Sequence, residues 1–177
     1  MSAIRLLFFV SIIVSVIGGL SLEGLAQTKG SPPVINFSWA QEKIRQGNDW
    51  RIYISATDPD GDMYRIHCRV EQTGGDNYRP DVTNIKKGME GQLTGFLALR
   101  TQSPYDFYQV SLSLTVVIAD RAGNESKPVT FPLTFNGEKT KAPPSDIIPP
   151  DLENKLNNRI TYIGIDLIRR DRMGAGD

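Results

Sequence analysis

Cysteine and histidine are almost missing from this chain: its 177 residues hold one of each, Cys68 and His67. A single cysteine forms no internal disulfide, so any folded part is held by packing alone. A single histidine beside no second cysteine or histidine leaves no zinc-type ligand set. The sequence also lacks a G-x-S-x-G elbow, a phosphate loop and a glycine-rich turn opening a helix, so the common catalytic sets are excluded. An excess of either charge is lacking too, with 20 Lys+Arg against 20 Asp+Glu. Without basic runs, a neutral chain argues against nucleic acid and anionic membrane surfaces as partners.

Long apolar runs are limited to one, residues 6–20. It is 15 residues long, whereas a spanning helix needs about 20. Arg5 precedes the run, and Gly24-Leu25-Ala26 supplies small residues before Gln27. Residues 1–26 are therefore read as a secretory signal peptide, which makes the protein exported: periplasmic, cell-surface or secreted. An uncleaved signal anchor is the rival reading, and a lipid anchor would need a cysteine at the cut. After cleavage no membrane span remains, and the loss of Arg5 with Glu23 keeps the rest neutral.

Residues 33–137 alternate apolar and polar side chains in short runs separated by turn signals, the pattern of an all-β sandwich. Ile35, Phe37 and Trp39 share one face of a first strand. Trp50, Ile52, Ile54 and Ala56 line a second, with Arg51, Tyr53, Ser55 and Thr57 outward. Tyr64 to Val70, a weaker run near Val82, Leu93 to Leu99, Val110 to Ile118 and Val129 to Phe135 complete seven antiparallel strands, the immunoglobulin constant-type count. Pro132 offers no ladder donor, so the last strand should be an edge or bulged there. Residues 138–150 are rich in proline and read as an extended linker. Residues 151–177 form a C-terminal extension, expected as a short helix capped by Asp151 and then a strand.

Two segments carry a resemblance. Ser55-Ala56-Thr57-Asp58-Pro59-Asp60-Gly61-Asp62 resembles the A-T-D-P-D-G-D segment of bacterial extracellular cadherin-like and immunoglobulin-like modules. Val116 through Ser126, with Asp120-Arg121-Ala122-Gly123-Asn124-Glu125-Ser126, is similar to the penultimate strand and D-x-A-G-N-x-S turn of such modules. The resemblance implies an immunoglobulin-like fold and a role in adhesion, spacing or carbohydrate binding.

Chemically, both segments are turns with Asp at the first position and Gly at the fourth. They also crowd Asp58, Asp60 and Asp62 into five residues, and a sandwich brings the second-to-third and sixth-to-seventh loops to one pole. Asp58, Asp60, Asp62, Asp120 and Asn124, with Glu125 beside them, would give hard oxygen donors of the kind Ca²⁺ takes six to eight of. Both readings, plain turns or a Ca²⁺ site, stand at this point, and no other cofactor is expected.

His67 should be an ordinary exposed residue between Arg65 and Arg69, and Cys68 a buried inert thiol. Tyr108, two residues before Val110, fits a structural tyrosine corner. The function expected is that of an exported, non-catalytic module for binding or structural interaction in the envelope or at the surface. Its partner would be an envelope or surface protein or a polysaccharide. The alternatives are a Ca²⁺-stabilised adhesion module and a polysaccharide-binding or hydrolysing domain, with Tyr105, Phe107 and Tyr108 as a sugar-stacking platform.

Overall fold

The computed structural model describes residues 30–73, 78–102 and 110–166. The expectations for the signal at 1–26, for Tyr105, Phe107 and Tyr108, and for the tail beyond 166 lie outside the described residues. Nine strands are present among those described: β1 (Val34–Ala40), β2 (Lys43–Ile44), β3 (Asp49–Thr57), β4 (Met63–Gln72), β5 (Asp81–Asn84), β6 (Gln92–Gln102), β7 (Ser111–Asp120), β8 (Val129–Phe135) and β9 (Arg159–Asp166). They form two sheets, β1-β3-β6-β9 and β2-β8-β7-β4-β5. The fold is an all-β sandwich, and all seven expected strands occur. The immunoglobulin order A-B-E against G-F-C is traced by β1-β3-β6 against β8-β7-β4.

The count and the uniform antiparallel pairing need correcting. β2 pairs parallel to β8, and β9 pairs parallel to β6. β9 stands beside the E-equivalent strand, where an immunoglobulin domain has strand D. The sheets close on a core that includes Trp50, Ile52, Ile66, Leu97, Leu99, Leu114, Ile118 and Phe135, each no more than 1 % exposed. Trp50 donates its indole N–H to the Gln41 carbonyl at 2.7 Å, which lets a large polar-tipped ring sit fully inside.

Residues 138–150 do not hang free. The buried amide of Gln41 donates to the carbonyl oxygens of Lys43 (2.6 Å) and Lys139 (3.0 Å) and accepts from the Lys141 N–H at 2.6 Å. The Thr140 hydroxyl donates to the Asp49 carbonyl at 2.9 Å. A single 3-10 turn spans Ser145–Ile147. No helix forms behind Asp151: 151–157 is a run of turns, with i→i+3 bonds from Leu152 N–H to Pro149 and from Lys155 N–H to Leu152. The helical stripe still marks burial, since Leu152 and Leu156 are both covered.

What covers them is the outer face of the first sheet. Tyr53 packs with Leu152 and Leu156, flanked by Phe37, Trp39, Phe96 and Ile148. Tyr53 meets Trp39 at 5.9 Å and Phe96 at 5.7 Å between ring centroids, both tilted. Tyr53 is thus buried and not outward, as is Ser55, whose hydroxyl bonds that of Thr94 at 3.0 Å. The first strand also departs from its simple alternation. A bulge between Ile35 and Phe37 leaves Ile35 on the main core and turns Phe37 and Trp39 to the outer cluster, because an inserted residue reverses the side-chain period.

Pro132 sits where its missing N–H does no harm. Thr134 and Asn136, of the same parity, donate toward β2, to Glu42 and Ile44. Pro132 lies before that pairing begins and faces an unpaired edge. Cys68 is buried beside Ile66 and Val70, and burial, with Asp81 adding to it, pushes its thiol pKa up to about 12. His67 is half-buried.

Candidate functional site

The two acidic turns form as the residue order demands. Gly61 N–H donates to the Asp58 carbonyl at 3.2 Å, and Gly123 N–H to that of Asp120 at 3.4 Å. Gly61 (φ 71°) and Gly123 (φ 80°) take the left-handed conformation that lets each chain re-enter a strand. The Asp58 Oδ1 accepts the Asp60 N–H at 3.0 Å, the Asx bond expected when Asp opens a turn. A second bulge, between Met63 and Arg65, falls in β4 next to the turn.

Three of the five singled-out residues converge. Asp58 ends β3, Asp62 precedes β4 and Asp120 ends β7, and one oxygen from each lies within 4.8 Å of the other two. Donors 2.3–2.6 Å from one Ca²⁺ can stand at most about 4.6–5.2 Å apart, so this spacing suits a single ion. Asp58 is 6 % and Asp120 4 % exposed. The Asp58 Oδ2 and Asp62 Oδ1 atoms are buried with no hydrogen-bond partner. No ion pair reaches the three carboxylates among the described residues. Arg65 and Arg121 stack on the Tyr64 ring at 4.4 and 4.8 Å. The Asp62 carboxyl is accordingly held above its ordinary range, by burial first, then by the charges of Asp120, Asp58 and Asp60.

The remaining two residues take other places. Asp60 is exposed and accepts the Ser31 N–H, tying residues at the start of the described chain to the turn. Asn124 presents donors: its backbone N–H and side-chain amide bond the two oxygens of Asp120 at 2.7 and 2.6 Å, and the amide also reaches the Gly30 carbonyl at 2.9 Å. It fixes the Asp120 carboxylate in place. Glu125 is exposed, in a bridge with Ala119. Sequence spacing shows that these residues share a pole. Which of them face inward depends on turn hydrogen bonds that spacing does not specify.

No family model matches the chain, and no curated protein matches it. Among solved structures, the chain is similar to the PKD domain of an M14-like peptidase from a Thermoplasmatales archaeon, with 17% sequence identity and a TM-score of 0.37. The match covers 60% of this chain and 98% of the other.

Proposed function

We propose that the chain is an exported, non-catalytic β-sandwich module whose acidic pole binds Ca²⁺ and is stiffened by it, for adhesion or structural interaction at the envelope or surface. The observation that carries the reading is the pair of buried, unpartnered oxygens on Asp58 and Asp62. A buried carboxylate without a donor is costly, and two facing each other across a third charge are more so. A divalent cation is the ligand that answers all three charges at once. Carboxylate edges used in bidentate fashion and waters would complete its shell.

Such an ion would join the two sheets, since β3 belongs to one and β4 and β7 to the other. A hydrolytic role for the same carboxylates is disfavoured by the burial of Asp58 and Asp120, which keeps a sugar ring from reaching two of the three.

Thermal unfolding in EDTA and in ~10 mM Ca²⁺ tests the proposal. With a Kd of about 10⁻⁴–10⁻³ M, Ca²⁺ should add about 1.4–2.7 kcal/mol. The variant Asp58→Asn with Asp62→Asn should fold and lose the response. A wild-type melting point indifferent to Ca²⁺ would leave the two segments as turns.

A further inference from the structure

The pole opposite the acidic turns is basic, and the fold builds it from four separate places. β3 separates the two poles: Asp49 starts it and Thr57 ends it, a span of roughly 26 Å at strand rise. That distance exceeds the Debye length of about 8 Å at physiological salt, so the acidic pole does not cancel the basic one. An open concavity of about 400 Å³ lies here, with Arg45, Arg51, Arg100 and Lys139 in its walls.

Each cation is positioned. The Arg45 Nε donates to the Gly137 carbonyl at 3.3 Å. The Arg51 guanidinium lies over the Phe96 ring, 5.0 Å from its centroid, a stacking that holds the planar fork at the surface. Arg100 is opposite Asp49 in the β3–β6 register and bonds its carboxylate at 2.8 Å. Lys139 is placed by the bond from buried Gln41 to its carbonyl oxygen. Among the described residues Asp49 is the one carboxylate in the walls and is engaged by Arg100, so the walls carry four cations against one anion there.

We infer that this concavity is a binding site for the carboxylates of an acidic polysaccharide. Guanidinium forks match carboxylates in bidentate fashion. The rest of the wall is Asn48, Thr140 and the glycine backbone at Gly47, hydrogen-bonding groups suited to sugar hydroxyls. Among the described residues no apolar side chain lines it, whereas a protein partner anchors its hot spots in apolar, desolvated pockets. A shallow, wet, cationic site therefore fits a hydroxylated polyanion better than a peptide. The inference is independent of Ca²⁺ at the other pole.

Calorimetric titration of the purified protein with polygalacturonate, neutral dextran, polyglutamate and polyphosphate tests it. Polygalacturonate should bind and dextran should not. Arg45→Gln with Arg51→Gln should weaken binding roughly tenfold or more, with an unchanged melting point. Should Arg51→Gln disturb the Phe96 packing, Arg45→Gln with Lys139→Gln gives the same readout from exposed positions. Absence of polygalacturonate binding, full retention of it by both variants, or equal binding of polyglutamate or polyphosphate would each overturn the assignment.

Discussion

Gly95 lies directly beneath the backbone carbonyl of Asn158: a Cβ at Gly95 would stand 2.2 Å from that oxygen and 3.0 Å from the Ile160 Cγ1. The backbone there has φ 155°, and the neighbouring Phe96 N–H donates to the same oxygen at 2.9 Å. The C-terminal strand enters the sheet through this contact. Gly95→Ala should lift β9 from β6 and destabilise the protein by about 1–3 kcal/mol. Faster tryptic cleavage after Lys155 and Arg159 would report the release, and wild-type protection would show that β9 docks without that approach.

The turns at 151–157 should matter through their apolar anchors. Leu152→Ala or Leu156→Ala should each cost about 2–4 kcal/mol by opening a cavity against Tyr53. Denaturant unfolding followed by aromatic fluorescence checks this. A loss below about 0.5 kcal/mol would mean that the segment merely rests on the sheet.

Asn124 should act on Ca²⁺ through Asp120. Asn124→Ala removes the amide that holds the Asp120 carboxylate and should weaken Ca²⁺ binding roughly tenfold. Calorimetric titration with Ca²⁺ reads this directly. Unchanged affinity would leave Asn124 with only its turn and Gly30 contacts.

Asp62 gives the pole a pH dependence whose sign is set by its raised pKa. A carboxyl raised on folding contributes stability that is present below its unfolded pKa and lost as pH rises through the folded value. In chelator, the stability of wild type relative to Asp62→Asn should therefore fall as pH rises above about 4, the ordinary Asp value. Ca²⁺ should offset that fall, because the ion takes the place of the proton. Parallel melting curves for the two proteins across this range would sink the prediction.

Cys68 should be inert while the protein is folded. With a pKa of about 12, only about one thiol in ten thousand is ionised at pH 8. Iodoacetamide labelling should track global unfolding, and rapid labelling of native protein would contradict the burial.

The sequence by itself determined the class of fold. Strict alternation in Trp50 to Ala56 and Val110 to Ile118 fixes strands with one face inward, and Asp-Pro-Asp-Gly and Asp-Arg-Ala-Gly fix the turns, because each rests on local sterics and hydrogen bonds. Through the expected sandwich it also put Asp58, Asp60, Asp62, Asp120 and Asn124 at one pole, without telling which of them converge.

Tertiary structure decided the rest. Tyr53 alternates as an outward residue, and nothing local says that Leu152 and Leu156 return to cover it. The bulge after Ile35 reverses Phe37 and Trp39, a change visible only in the pairing with β3. Leu152 and Leu156 are spaced as a helix stripe, yet turns bury them equally well. The basic concavity gathers Arg45, Arg51, Arg100 and Lys139 from distant parts of a neutral chain, and only the sandwich brings them together. Local patterns report what each residue prefers beside its neighbours, whereas these features depend on contacts far apart in sequence, which only the packed sheets supply.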